Sequence, residues 1–128
     1  MKTQYALALA VVTGFGLGAA AVQGLHAQAK PPAFVVSEID VTNQDAFIKE
    51  FSPIAQKALA DAGAKTVARG GKVAALYGTA PKGRIVINRF DSLDQAVAAF
   101  TSPAYKDARL IGDKYATFRI FAVEGLPQ

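Results

Sequence analysis

The side chains that could carry chemistry in this chain are mainly arginines. Four of them lie on predicted strands or at strand ends: Arg69, Arg84, Arg89 and Arg119. Two guanidinium groups that point into one cleft can hold a carboxylate or a phosphate through paired hydrogen bonds. Alternatively, such arginines extend from sheet edges into water or pair with Asp and Glu across a dimer. The sequence leaves both readings open.

Two tyrosines and a strand amide are the other candidates. Tyr77 and Tyr105 could orient or protonate a ligand, or they could be packing residues whose hydroxyls reach water. Asn88, an amide in an otherwise apolar strand, could hydrogen-bond a ligand or face a dimer interface. Glu38 could act as a base if it is buried, or pair with a Lys or Arg. The predicted ligand-binding set is Arg69, Tyr77, Asn88, Arg89, Tyr105 and Arg119.

The residue types that are missing exclude several classes of chemistry. The chain has no Cys and no Trp, and its one histidine, His26, lies near the N-terminus. Ser-His-Asp and Cys-His catalysis, zinc sites built from thiolate or imidazole, and histidine-ligated haem therefore have no residues in the rest of the chain. We predict no metal site and no cofactor.

The charge pattern argues against a nucleic-acid partner. The formal net charge is +4, but the basic residues are scattered and do not alternate with aromatic residues.

The N-terminal residues resemble an export signal. Lys2 precedes a long apolar run, 5–21, which is followed by the small-residue pattern Ala27-Gln28-Ala29. We predict that residues 1–29 are a signal peptide, removed after Ala27 or Ala29, and that the protein is periplasmic or secreted. An uncleaved membrane anchor is the alternative, since the apolar run is about long enough to span a bilayer. After cleavage, residues 30–128 would form a single domain with no membrane association.

Alternating and helical patterns predict the order strand, helix, strand, strand, helix, short helix, strand. The predicted strands are 33–39, 64–77 with a break at Gly70-Gly71, 84–90 and 115–124. The helices follow capping residues at Thr42 or Asn43, at Ser92 and at Ser102, and Ser52-Pro53 predicts a kink or a restart capped by Ser52. This order indicates an α+β, ferredoxin-like βαββαβ fold: a four-stranded antiparallel sheet with helices on one face.

Apolar residues occupy both faces of several predicted strands, whereas the helices can cover only one face. Val35 and Val36 illustrate this, as do Ile120 and Phe121. A second copy packed sheet to sheet is the simplest cover, so we predict a homodimer.

Several short motifs, in order, resemble one bacterial family. They are Glu38-Ile39-Asp40-Val41-Thr42, Arg69-Gly70-Gly71, the segment from Phe90 to Ala96, Ser102-Pro103-Ala104-Tyr105 and Val123-Glu124-Gly125. The chain resembles, over residues 34–125, the family called domain of unknown function 1330. The resemblance implies a dimeric α/β-barrel fold, which small monooxygenases, lactone isomerases and dye-decolourising peroxidases also use. It implies no settled activity.

The chain departs from that family at two positions. The family usually has Glu-Gly where this chain has Tyr77-Gly78, and Glu-Phe where it has Arg89-Phe90. The resemblance therefore does not imply acid–base chemistry by carboxylates at these two positions of this chain.

These observations lead to two functional hypotheses. The first is an exported ligand-binding or stress-associated domain of unknown activity. The alternative is a cofactor-independent enzyme, similar to a monooxygenase or an isomerase, that acts on a small organic anion and supplies orientation and electrostatic stabilisation. A haem role ranks behind both because the usual axial histidine is absent.

Overall fold

Four strands form one antiparallel sheet in the computed structural model, which describes residues 30–128. They are β1 (Ala33–Val41), β2 (Lys65–Arg69), β3 (Arg84–Phe90) and β4 (Ala116–Glu124), in the spatial order β2-β3-β1-β4. With the helices between the strands, this is the ferredoxin-like βαββαβ arrangement, which confirms the predicted fold class. The predicted signal peptide and its cleavage site lie outside the described residues.

Three of the helical segments begin at polar capping residues that the sequence predicts. Asn43, Ser92 and Ser102 accept hydrogen bonds from backbone amides three residues further on. The helical segments are α1 (Gln44–Ala46), a π-helical turn (Phe47–Phe51), α2 (Ser52–Asp61), α3 (Leu93–Thr101) and α4 (Pro103–Gly112).

The restart capped by Ser52, one of the two alternatives predicted for Ser52-Pro53, does not form. Ser52 makes no capping hydrogen bond, and the chain stays helical through Phe47–Phe51 into α2. Proline removes a backbone donor and crowds the carbonyl one turn earlier, and a wider turn before Pro53 accommodates both effects without a break.

The sheet has two unlike faces. On the helix-covered face, β1 buries Ala33, Val35, Ser37 and Ile39 against the helices. The register between β1 and β3 sets Asn88 beside Val35 and Arg84 beside Ile39, so that Arg84 and Asn88 share this face. The opposite face, called the open face below, carries the alternate residues: Phe34, Val36, Glu38, Ile85, Ile87, Arg89, Thr117, Arg119, Phe121 and Val123.

The second strand is shorter than predicted. β2 ends at Arg69, Gly70 turns with a φ of +63°, and residues 71–77 form no strand. The irregularity in the ladder lies between Thr66 and Ala68, not at the two glycines. The first strand is longer than predicted and continues to Val41 because Asp40 and Val41 pair with Thr117 and Ala116.

Two clusters of buried side chains hold the helices to the sheet. One joins the π-helical turn, α2 and α4 around Phe47, Phe51 and Tyr105. The other joins β1 and β3 to α3 around Val35, Phe90 and Ala96. Within residues 30–128, no helix is both long and apolar enough to cross a membrane.

Candidate functional site

A cleft of about 230 Å³ opens between the helix-covered face of the sheet and helix α2. Its floor comes from β1, β2 and β3, and its roof from the π-helical turn and α2. Helix α2 lines the cleft with Ser52, Ala55, Gln56, Leu59 and Ala60. Phe47, Phe51 and Phe118 form its aromatic wall, with ring centroids 5.0–6.4 Å apart.

A chain of polar side chains leads from the mouth of the cleft to its floor. The Arg69 guanidinium donates to the Thr66 hydroxyl at 3.1 Å, and that hydroxyl donates to the Asn88 side-chain oxygen at 2.6 Å. Asn88 is 3 % exposed. Since its oxygen is occupied by Thr66, its amide N–H groups remain available to donate.

Arg84 supplies a second guanidinium beside this chain. Its Nε is buried and has no hydrogen-bond partner among residues 30–128. The guanidinium carbon lies 5.7 Å from the centre of the Phe47 ring, a cation–π arrangement. Burial, followed by the positive charge of Arg69, lowers the pKa of Arg84. Burial and the neighbouring Arg69 both disfavour the charged form of Arg84, and no negative charge in the cleft compensates for them.

The polar groups of the cleft are therefore mostly donors. Among residues 30–128, no Asp or Glu lines it, whereas Arg69, Arg84 and Asn88 all present N–H groups. The arginines elsewhere in this range each pair with a carboxylate: Arg89 with Asp91, Arg109 with Asp113 and Arg119 with Glu38. A cluster of donors in an apolar cleft is suited to an anion.

Tyr105 closes the inner end of the cleft. It is 4 % exposed, and its ring packs edge-to-face on Phe100 at 4.7 Å. Burial raises the pKa of Tyr105, which keeps the hydroxyl protonated at neutral pH. Tyr105 therefore contributes shape and a neutral hydroxyl to the inner end of the cleft.

The structure brings three of the predicted site residues together. Arg69, Asn88 and Tyr105 line the cleft. Because Asn88 lies on the helix-covered face, it does not face the open side of the sheet, which was its alternative position.

The other three candidates lie away from the cleft. Tyr77 is fully exposed in the segment after β2. Arg89 and Arg119 lie on the open face, where Asp91 and Glu38 pair with them at 3.5 and 3.1 Å. Glu38 thus has the charge-pairing role, and a hydrogen bond from the Lys82 backbone N–H, together with Arg119, lowers its pKa.

Five polar cleft residues were absent from the predicted set: Ser37, Ser52, Gln56, Thr66 and Arg84. Strand periodicity contains the signal for Arg84, because Arg84, Val86 and Asn88 alternate along one strand and must share a face. No comparable signal exists for Thr66, because the irregularity in β2 shifts the alternation just after it.

Within residues 30–128, no group of three or more His, Cys, Asp or Glu side chains could hold a metal ion.

The comparisons with known proteins place this chain among proteins that mostly lack an assigned activity. A family model described as "Domain of unknown function (DUF1330)" matches residues 32–126. No curated protein matches the chain.

Two solved structures resemble the fold. RPA0582, a protein of unknown function from Rhodopseudomonas palustris, is 15 % identical with a TM-score of 0.59, covering 77 % of this chain and 85 % of its own. SnoaB, a cofactor-independent oxygenase from Streptomyces nogalater, is 11 % identical with a TM-score of 0.55, covering 77 % and 96 % respectively. At such identities the likeness concerns the fold alone.

Proposed function

We propose that this chain, which belongs to the DUF1330 family, is a binding domain for a small organic anion, and that its site is the cleft under α2. The anionic group would contact Arg84, Arg69 and the Asn88 amide. The apolar body of the ligand would lie against Phe47, Phe51 and Phe118.

One observation carries this proposal: the two cleft arginines have no carboxylate partner within residues 30–128, while the arginines elsewhere do. A half-buried guanidinium next to another positive charge destabilises the protein unless something compensates it. A bound anion supplies that compensation, and the buried Arg84 Nε supplies a directional donor to it.

The cleft also limits the kind of anion. Its wall is aromatic and its volume, about 230 Å³, exceeds what an inorganic ion fills. An apolar or aromatic monocarboxylate uses both the wall and the donors, whereas phosphate or sulfate uses only the donors.

Thermal unfolding with paired ligands tests the proposal. We expect 2-naphthoate to raise the unfolding temperature in a concentration-dependent way, because a ligand that binds only the folded state stabilises it. The neutral 2-naphthamide has the same ring and should have little effect. Equal effects of the two, or none from a panel of aromatic and aliphatic carboxylates, would contradict an anion site.

Native mass spectrometry of protein from its own host would identify the retained ligand.

A second candidate function is a cofactor-independent enzyme acting on such an anion. The observation that favours it is the same set of donors, because N–H groups that bind a carboxylate or phenolate also stabilise negative charge developing on a bound substrate. SnoaB, one of the similar structures, is described as a cofactor-independent oxygenase. Mass spectrometry of a bound anion after incubation in air distinguishes the two functions: a changed mass indicates turnover, and an unchanged mass indicates binding.

We also propose that the protein is exported after removal of residues 1–29. The supporting pattern is the apolar run that ends at Ala27-Gln28-Ala29. N-terminal sequencing of the protein from its own host should begin at Gln28 or Lys30, and a chain that still begins at Met1 would refute cleavage.

Finally, we propose that the protein is a homodimer that packs through the open face. Phe121 and Val123 on that face are 46 % and 52 % exposed, and Val36 and Ile87 lie beside them half-buried. Analytical ultracentrifugation at micromolar concentration should show a dimer, and a stable monomer at all concentrations would rule this out.

A further inference from the structure

Besides Tyr105, two side chains that can form hydrogen bonds are buried in the part of the chain that the structure describes. They are Ser37, which is 5 % exposed, and Asn88, which is 3 % exposed. Both lie on the helix-covered face of the sheet, and both line the cleft. Because an unpaired buried polar group costs folding free energy, such groups nearly always have a partner. The partners of these two side chains therefore bear on what the cleft binds.

Only Asn88 has a partner within the protein. Its oxygen accepts a hydrogen bond from the Thr66 hydroxyl at 2.6 Å. The Ser37 hydroxyl makes no hydrogen bond within residues 30–128, and it borders the cleft. Ser37 lies between Val35 and Ile39 on the same face of β1, where the neighbours are apolar. Its hydroxyl is therefore an unpartnered polar group on the floor of the cleft.

The strand register places Ser37 between two donors of β3. Ser37 lies opposite Val86, and Arg84 and Asn88 are the next residues on the same face of β3, one on each side of Val86. Diagonal neighbours of this kind lie about 7 Å apart. That separation is too long for a direct hydrogen bond. Two adjacent oxygens of one ligand, however, can bridge Ser37 and either donor.

The Ser37 hydroxyl also differs in kind from the donors around it. Guanidinium groups can only donate, and Asn88 offers only N–H groups because its oxygen is occupied, whereas a hydroxyl can also accept. The Tyr105 hydroxyl lies near the positive charge of Arg109, which disfavours the approach of another donor. The other hydroxyl and amide groups of the cleft are half-buried or exposed and can be satisfied by water: Ser52, Gln56 and Thr66. The floor thus combines donors for an anion with one buried oxygen that suits a hydroxyl proton of the ligand.

We infer that the ligand of the cleft is a 2-hydroxy carboxylate with an apolar or aromatic body, and that Ser37 recognises its hydroxyl. The inference rests on the proposed anion site and names the class of its ligand. The carboxylate accepts hydrogen bonds from Arg69, Arg84 and one N–H of Asn88. The hydroxyl on the neighbouring carbon donates to the Ser37 oxygen and accepts from the second N–H of Asn88. Both buried polar side chains of the floor are then paired.

Calorimetric titration of the wild-type chain with phenylacetate and the two enantiomers of mandelate tests the inference. Mandelate is phenylacetate with a hydroxyl on the carbon next to the carboxylate, so the comparison isolates the effect of that hydroxyl. We expect one enantiomer to bind about threefold to tenfold more tightly than phenylacetate, as one neutral hydrogen bond provides. The other enantiomer should gain less, because Ser37 lies on only one side of the carboxylate.

Two variants assign the gain in affinity to Ser37. Ser37→Ala removes only the hydroxyl oxygen, so it should abolish both the preference for mandelate over phenylacetate and the difference between the enantiomers. Thr117→Val removes a strand hydroxyl on the open face of the sheet and should keep both preferences. Because each preference is a ratio of affinities within one variant, a general loss of stability does not produce the same result.

The outcomes separate this inference from the anion site itself. If 2-naphthoate binds but neither mandelate enantiomer binds more tightly than phenylacetate, the ligand class is wrong and the anion site stands. The same conclusion holds if Ser37→Ala keeps the wild-type preference for mandelate. If neither 2-naphthoate nor any of the three smaller acids binds, the proposed function fails and this inference fails with it.

Discussion

Arg84 and Arg89 lie on the same strand, β3, but on opposite faces of the sheet, and their surroundings differ. Arg89 on the open face is half-buried, its side chain 33 % exposed, and it pairs with Asp91. Arg84 on the helix-covered face has an unpartnered buried Nε, an aromatic ring beneath it and a second arginine nearby. The open face thus balances its own charges and leaves apolar surface exposed, while the cleft buries its apolar surface and leaves positive charge unbalanced.

This contrast underlies the two proposed partners. The open face exposes apolar surface that the proposed second copy would cover. The cleft needs negative charge on an apolar body, which a small organic anion offers. Four predictions test this division, in decreasing order of expected effect.

Placing a charge on the open face should separate the dimer. Phe121→Asp loses an apolar contact of about 1.5–3 kcal/mol in each copy, so dimerisation should weaken by about 3–6 kcal/mol. Leu110→Asp is the matched control, because Leu110 is exposed on helix α4, on the other side of the molecule. Sedimentation velocity checks the result. If Phe121→Asp and Leu110→Asp had equal dimer dissociation constants, the open face would not be the interface.

Placing a carboxylate inside the cleft should block it. Asn88→Asp introduces a negative charge next to Thr66 and Arg69 without changing the size of the side chain. We expect anion affinity to fall at least tenfold, or about 1.4 kcal/mol, because the arginines would then have an internal partner. Asn43→Asp, at the cap of α1, makes the same chemical change away from the cleft and should bind normally. Calorimetric titration with 2-naphthoate distinguishes them; tighter binding by the Asn88 variant would contradict the charge argument.

Removing the unbalanced charge should stabilise the protein without ligand. Arg84→Met keeps much of the apolar stem and removes the half-buried guanidinium, so the free energy of unfolding should rise by about 0.5–1 kcal/mol. Arg89→Met removes an arginine whose charge is paired with Asp91 and should leave stability unchanged or slightly lower. Urea unfolding of the two variants measures the difference, and a clear loss of stability for Arg84→Met would mean that this arginine is a structural residue.

The smallest effect should come from the ion pair on the open face. The pKa of Glu38 is lowered from its ordinary value of 4.5, first by the Lys82 backbone N–H and further by Arg119. A carboxyl group whose folded-state pKa is lowered stabilises the protein above its unfolded pKa and loses that contribution as the pH falls through the folded pKa. The unfolding temperatures of the wild type and Glu38→Gln should therefore differ at neutral pH and converge below pH 4.5. A constant difference down to acid pH would show that the carboxylate charge is not responsible.

The fold could be read from the sequence because local signals agreed with it. Asn43, Ser92 and Ser102 cap helices as their positions suggest, and alternation along 84–90 and 115–124 marks strands that have partners in the same copy. The segment 71–77 is also largely apolar but has no partner strand among the described residues, so the predicted strand does not form there. Residue patterns record what a segment is suited to, but a strand also needs a neighbour to pair with, which they do not record.

The site was harder to predict because it depends on which face each side chain shares. Alternation places Arg84 and Arg89 on opposite faces of β3, but only the pairing register shows which face lies under the helices and that Arg119 shares the face of Arg89. Thr66 and Arg69 meet in the cleft only because the ladder of β2 shifts between Thr66 and Ala68. That shift has no clear signal in the surrounding residues.

Calorimetric titration of 2-naphthoate into Arg84→Gln, Arg89→Gln and the wild type tests whether the cleft under α2 is an anion site. The cleft assignment predicts that Arg84→Gln loses about 1.5–3 kcal/mol of binding free energy, roughly tenfold to a hundredfold in affinity, because a charged hydrogen bond is lost. Arg89→Gln, on the same strand but the opposite face, should bind like the wild type. Equal losses in the two variants, or full affinity in Arg84→Gln, would contradict the claim that the cleft under α2 is an anion site.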